Sequence, residues 1–274
     1  MNIIIPQWQG SGQDLCTWYG AFALRDNYLD DPKAVTVNIG REPLSPEKNH
    51  ILGYDDILRD MDRVNKILEE KNPSKIFTVG GGCDADTPCV AWLNRKYKGD
   101  MAVVYIDAHG DLNTPDSSES KLYYGMSLRA LSGEGASGII RRLASVIRPD
   151  QLIMCAGRCL DPEEVRYKRE NNVSDLSVEQ LELDPEAAAK EVIRKGYHHV
   201  YIHVDLDSLD PEEFKLTPVQ EPDGLKCNTL NLILRALSTC GAGIAGLGLL
   251  EYSGTAANEG NFLVESVISL GKNL

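Results

Sequence analysis

Two stretches of the chain set metal-capable side chains at alternate positions directly after runs of β-forming residues. In Val103 to Asn113, V-V-Y-I-D-A-H-G-D-L-N, the apolar run ends in Asp107, His109 and Asp111. In His199 to Pro211, H-V-Y-I-H-V-D-L-D-S-L-D-P, it ends in Asp205 and Asp207, with Asp210 and Pro211 marking the exit turn. Along a strand, residues i, i+2 and i+4 point to one side, so each stretch is expected to gather its polar groups on one face. Carboxylates forced together in a partly desolvated place repel one another, and a bound cation relieves the repulsion. Four aspartates and an imidazole supply ligands for one or two hard or borderline divalent ions. Either stretch alone also reads as a strand followed by a polar turn with Asp and Asn as caps; the repetition favours the metal reading.

Further candidates flank these two. Lys75 to Val79 reads as a strand running into G-G-G-C-D-A-D-T-P-C, where glycines permit a sharp turn close to a ligand. Cys83 at its tip reads three ways: an inert buried thiol, a thiolate ligand or a nucleophile. The polar loop Thr114 to Ser120 is a candidate substrate lid, and Asp161 and Glu164 in G-R-C-L-D-P-E-E read as helix caps or as ligand contacts. Glu251 ends a glycine-rich apolar strand, so its carboxylate needs a partner and a cationic substrate would supply one.

The elements that must position these groups alternate between strand and helix. Strands are expected at Asn2 to Ile5, Ala34 to Ile39, Lys75 to Val79, Val103 to Ile106, Gln151 to Ala156, the run before Asp205, and Ala242 to Tyr252. Helices are expected from Asp14 to Tyr28, with Leu15, Trp18, Tyr19 and Phe22 on one face, and from Tyr54 to Lys71, with Ile57, Met61, Val64 and Leu68 on one face. Others are expected at Val90 to Tyr97, Asn228 to Leu237 and Asn258 to Leu270, with the acidic tract Glu179 to Glu191 a solvated helix or turn and His50 a surface residue. The alternation, without repeat or linker, predicts one three-layer α/β/α domain over residues 1–274 with a mostly parallel sheet. Open sheets of this kind bind ligands beyond the carboxyl ends of their strands, where both aspartate motifs fall.

The totals narrow the function. Of the 274 residues, 42% are hydrophobic and 25% charged, as in ordinary globular proteins. The 28 basic against 41 acidic residues, a formal charge of −13, argue against nucleic-acid and anionic-membrane partners and suit a cationic substrate. The short apolar start M-N-I-I-I-P-Q has no basic n-region and no run is long enough for a membrane span, so a cytoplasmic protein is expected. Seven cysteines, odd in number and with no C-x-x-C pair, read as reduced thiols.

The order G-G-G-C-D (80 to 84), D-A-H-G-D-L-N-T-P (107 to 115), G-R-C-L-D-P-E-E (157 to 164), D-L-D-S-L-D-P (205 to 211) and L-L-E (249 to 251) resembles the ureohydrolase family of arginase and agmatinase over nearly the whole chain. The resemblance implies an arginase-like fold, two manganese ions, a homo-oligomer, and hydrolysis of a guanidino or amidino carbon–nitrogen bond in a small cationic substrate by metal-bridging hydroxide. Asp107 and Asp205 would bridge the metals, His109 and Asp207 would complete one site, and Asp111 the other while holding the hydroxide. Glu251 would receive the guanidinium, and Asn113, Ser120 and Asp161 the far end of the substrate. Three positions depart from the family. Cys83 stands where a histidine ligates the first metal, and a thiolate would favour zinc or iron or lower that site's occupancy. Tyr124 replaces a histidine credited with proton shuttling, and Leu122 an asparagine that binds the α-carboxylate of arginine. Two other readings stay open: a catalytically silent binding or regulatory member, and a single-metal amide hydrolase in which Tyr124 assists the oxyanion.

Overall fold

A computed structural model describes residues 1–12, 14–255 and 261–274. Eight strands form one sheet: β1 (Asn2–Ile5), β2 (Val35–Thr36), β3 (Ile76–Gly80), β4 (Ala102–Ile106), β5 (Leu152–Cys155), β6 (Ser174–Leu176), β7 (His199–Asp205) and β8 (Gly243–Leu250). Their order is β2-β1-β3-β8-β7-β4-β5-β6, and every pairing is parallel. The helices are α1 (Cys16–Leu24), α2 (Tyr54–Lys71), α3 (Thr87–Lys96), α4 (Ser127–Leu131), α5 (Ser137–Ile140), α6 (Pro162–Glu170), α7 (Val178–Leu183), α8 (Ala187–Lys195), α9 (Cys227–Thr239) and α10 (Phe262–Lys272). Helices α1, α7, α8, α9 and α10 pack on one face of the sheet, and α2, α3, α4 and α6 on the other. Because both faces are covered, the central strands are buried at nearly every position, which is why they read as continuous apolar runs. No helix is long and apolar enough to cross a membrane among the described residues.

Several expectations change. Of the run 34–39 only Val35 and Thr36 have register partners on β1, with the Val37 amide donating to Ile4 at 2.9 Å, and beyond them the indoles of Trp18 and Trp8 take the carbonyls of Ile39 (3.0 Å) and Gly40 (2.9 Å). Strand β6 has no apolar signature and was not expected; as the opposite edge it presents only a partly buried S-D-L. Helix α1 buries Thr17, Gly20, Ala21 and Leu24 in place of the aromatic face. The reason is Gly20, where a Cβ would lie 1.6 Å from the Tyr252 carbonyl oxygen, so the backbone of α1 packs directly on the chain after β8. Trp18, Tyr19 and Phe22 instead form a half-exposed cluster with Arg25 and Arg41. The acidic tract splits into α7 and α8, which bury Leu181, Ala188, Ala189 and Val192. Asn258, expected to begin the last helix, lies outside the described residues.

Helix α2 buries Ile57, Met61, Val64 and Leu68, and with them Asp60, which is 2% exposed and accepts a hydrogen bond from Arg63 at 2.7 Å. Burial pushes the Asp60 carboxyl from 3.8 up to about 6 despite that partner. Between those values the folded chain holds a proton that the unfolded chain has released, so this group's contribution to stability falls as pH rises through the window. Asp60→Asn keeps the acceptor for Arg63 and removes the buried charge. The expected result is a gain of about 1–3 kcal/mol at pH 7.5 that vanishes below pH 4, read by thermal melts at both pH values; an unchanged or lowered melting temperature at pH 7.5 would refute it.

Candidate metal centre

The two aspartate motifs meet where β4 and β7 lie side by side. Strand β4 ends at Ile106, so Asp107, His109 and Asp111 are not on a regular strand, and alternation alone does not bring them together. A turn does. The Oδ1 of Asp107 accepts the His109 amide at 2.6 Å, and Asp205 Oδ1 accepts the Asp207 amide at 3.0 Å, the same Asx turn at the end of each strand. The capping role is therefore real, and it occupies one oxygen only. Asp107 Oδ2 and Asp205 Oδ2, together with Asp111 Oδ1, are buried without a hydrogen-bond partner. Such orphaned carboxylate oxygens converging in one place are the donors a divalent ion requires, so the residues present fit a metal.

The loop after β4 is held from several sides. Both Arg158 and Cys159 donate backbone N–H groups to the Ala108 carbonyl, at 2.8 and 2.9 Å. Glu164, at the start of α6, accepts the amides of Leu112 (2.9 Å) and Asp161 (2.8 Å), so it caps the helix and ties the loop down at once. A Cβ at Gly110 would meet that carboxylate at 2.8 Å. Asp111 sits at φ 52° and Glu251 at φ 57°, a left-handed backbone uncommon outside glycine and asparagine and often found at functional positions. Tyr105 fixes the Asp111 side chain by donating its hydroxyl to Oδ2 at 2.6 Å. Arg158 donates to the carbonyls of Asp207 and Ser208 at 3.0 and 3.2 Å and to Glu221 at 2.7 Å, holding the exit of β7 against a later loop.

Ligand-capable atoms of Asp107, His109 and Asp207 lie within 4.8 Å of one another, as do those of Cys83, Asp107 and Asp111, and those of Cys83, Asp205 and Glu251. All six residues named as candidate ligands from the sequence thus come together, and Glu251 joins them. His109 Nδ1 lies 2.9 Å from Asp207 Oδ2 and 3.5 Å from Asp107 Oδ1, while Nε2 lies 3.7 Å from Glu221 Oε1. Burial alone would lower the His109 imidazole, but the two aspartates outweigh it and raise it, and His109 in turn holds Asp207 below the usual carboxylate range against its own burial. Burial and the neighbouring carboxylates push Asp107, Asp111 and Asp205 up, the last two strongly. Burial, then Asp207, brings Glu251 up to about 8. Cys83 is buried among Asp205, Asp111, Glu251 and Asp107, all of which raise its thiol; its Sγ is 3.5 Å from Glu251 Oε1, which also accepts the Cys83 amide at 3.2 Å. Metal affinity in such a centre is tied to proton release.

A cavity of about 260 Å³ opens from His109 and Asp111 and is lined by Asn113, Ser120, Tyr124 and Asp161 among others, with no lysine or arginine among the described residues of its wall. Asn113 donates to Asp161 at 2.7 Å. Burial pushes the Tyr124 phenol up to about 12, so near neutrality it keeps its proton. The candidates for the far end of a substrate and for proton handling therefore share one pocket. The sequence reading missed Glu221, Cys159, Asp86 and His203. Cys159 and Glu221 gather with His109 at the partly exposed rim; Cys159 lies within the G-R-C-L-D-P-E-E motif, whereas Glu221 sits in a loop that carries no signal. His203 did carry one, since it precedes Asp205 by two residues on the same strand.

The family model described as Arginase family matches residues 23–269. Among curated proteins, the arginase of Staphylococcus aureus (strain COL) is 27% identical over 250 residues, covering 88% of this chain and 80% of that protein. The arginase of Bacillus subtilis (strain 168) is 27% identical over 203 residues, 68% of this chain and 66% of that protein. In fold, the chain is similar to the Bacillus caldovelox arginase (TM-score 0.85, 20% identity, 98% of this chain and 95% of that one). It is also similar to the Entamoeba histolytica arginase solved with L-ornithine (TM-score 0.84, 18% identity, 98% and 95%). With its all-parallel sheet, its paired aspartate turns and a family match over most of its length, this chain belongs to the arginase family.

Proposed function

We propose that the chain is a metal-dependent hydrolase that cleaves a guanidino or amidino carbon–nitrogen bond in a small cationic substrate. The observation that carries the reading is the set of free, buried oxygens on Asp107, Asp111 and Asp205, beside His109, Asp207 and Cys83. Divalent ions held by these residues would supply an activated water near neutral pH. Asp107, just past the end of β4, and Asp205, at the end of β7, hold the centre, and His109 and Asp207 close one side. Asp111 and Cys83 close the other. Glu251, 3% exposed, offers the charge that a guanidinium or amidinium would neutralise. Tyr124, protonated near neutrality, donates a hydrogen bond and does not serve as a base. With no lysine or arginine among the described residues of the cavity wall, and with Asp161 within it, a substrate bearing an amine at its far end is favoured over one bearing a carboxylate.

Cys83 motivates a second reading, a ligand-binding member without turnover, because its thiol stands beside the carboxylate that a guanidinium would occupy. One experiment separates the two. The chain loaded with manganese, zinc or iron is assayed for metal content, for urea release from guanidino compounds with and without a carboxylate, and for ammonia or amide release from amidino compounds. Release that requires metal supports the hydrolase; bound metal with no release from any compound in the series would overturn it in favour of the binder.

A further inference from the structure

His203 lies two residues before Asp205 on β7, and the alternation of the strand puts both on one face. Its ring is fully buried and stacked on Tyr105, with centroids 3.8 Å apart and planes at 9°. Nδ1 is 3.0 Å from Asp86 Oδ2, which also accepts the Tyr201 hydroxyl at 2.9 Å. Room for that carboxylate comes from Gly248 on β8, where a Cβ would stand 2.4 Å from Asp86 Oδ2. A carboxylate facing Nδ1 keeps the proton there and leaves the Nε2 lone pair pointing away.

Nε2 points at an oxygen that is also unsatisfied. It lies 4.0 Å from Asp107 Oδ2, too far for a hydrogen bond, and neither atom, nor Asp205 Oδ2, has a partner. Ligand atoms of Asp107, His203 and Asp205 lie within 4.8 Å of one another. Two ligands on one ion, each at about 2.0–2.2 Å, stand up to about 4.4 Å apart, so the 4.0 Å gap has the width of an ion and not of a contact.

We propose that His203 is a metal ligand of this centre, its Nε2 closing a site with Asp107 and Asp205 while Asp86 orients the ring from behind. A ligating histidine whose other nitrogen donates to a carboxylate is a recurrent metal-site arrangement. It returns to the centre an imidazole in a chain whose Gly80 to Asp84 turn presents a thiol. The inference rests on the reading of the centre as metal-binding.

The test uses the full chain, stripped of metal and titrated with zinc alone, with X-ray absorption on the loaded wild type to count imidazoles around the bound zinc. Imidazoles per zinc multiplied by zinc ions per chain are expected to total two in the wild type, His109 and His203, and one in His203→Gln. Asp86→Asn is expected to weaken zinc binding about 10- to 100-fold, and His203→Gln at least as much. A total of one imidazole in the wild type, a count needing no variant to fold, would overturn the role of His203 and leave the metal centre standing. No zinc bound to the wild type would overturn both.

Discussion

Asp205→Asn is expected to abolish metal retention and to lower hydrolysis by about 10³- to 10⁴-fold, while raising the melting temperature of the metal-free chain. The first effect follows from position. Asp205 is the last residue of β7, is 0% exposed, and gathers with Cys83 and Glu251 on one side and with Asp107 and His203 on the other. Its Oδ1 is committed to the Asp207 amide and only Oδ2 is free. An asparagine keeps the turn by accepting the same amide, but it cannot offer a negative oxygen to a cation. Losing several kcal/mol of stabilisation of the reacting centre, at 1.36 kcal/mol per tenfold, gives the stated range. The second effect follows from burial. Desolvation and the charges of Asp207, Asp107 and Glu251 disfavour the ionised form of Asp205, so without a cation the neutral amide is the better occupant. Elemental analysis, a urea-release assay and a melt in chelator read the three outcomes together. Retained activity would remove Asp205 from the centre, and a lowered melting temperature in chelator would show that its charge is compensated by the protein alone.

Glu251→Gln is expected to lower kcat/KM by about 10²- to 10⁴-fold while leaving metal content unchanged. The carboxylate is 3% exposed at the turn out of β8 and held by the Cys83 amide through Oε1, and the largest influences on it, burial, Asp207, Cys83 and Asp84, include no lysine or arginine. Removing one partner of a buried ion pair costs about 3–5 kcal/mol, which sets the range when a guanidinium is the other partner. Loss of metal in Glu251→Gln would make Glu251 a ligand beside Cys83, not a substrate contact. A kcat/KM within about threefold of wild type, below the cost of any buried pair, would mean that the substrate cation binds elsewhere.

The strand-helix alternation, the three-layer class and the two aspartate motifs are all readable along the chain. Apolar runs of β-formers mark strands buried on both faces, and an Asp-x-Asp or Asp-x-His end marks a turn whose side-chain cap is written in adjacent residues. Those are local properties, and α2 was expected at Tyr54 to Lys71, the bounds it has. The edges were less readable. Strand β2 stops at Thr36, and the carbonyls of Ile39 and Gly40 beyond it go to the indoles of Trp18 and Trp8, while β6 exists only because β5 offers it a ladder.

What tertiary structure alone decided is the wiring of the centre. The sequence determines that Asp107 and Asp205 have metal-capable ends; which oxygen each spends on its turn and which stays free depends on how β4 and β7 lie side by side. Asp86 and His203 are 117 residues apart, and no pattern links them; β3 and β7 are separated in the sheet by β8, whose Gly248 leaves the space through which they meet. A contact between distant segments depends on packing geometry, and that geometry exists only once the sheet has formed.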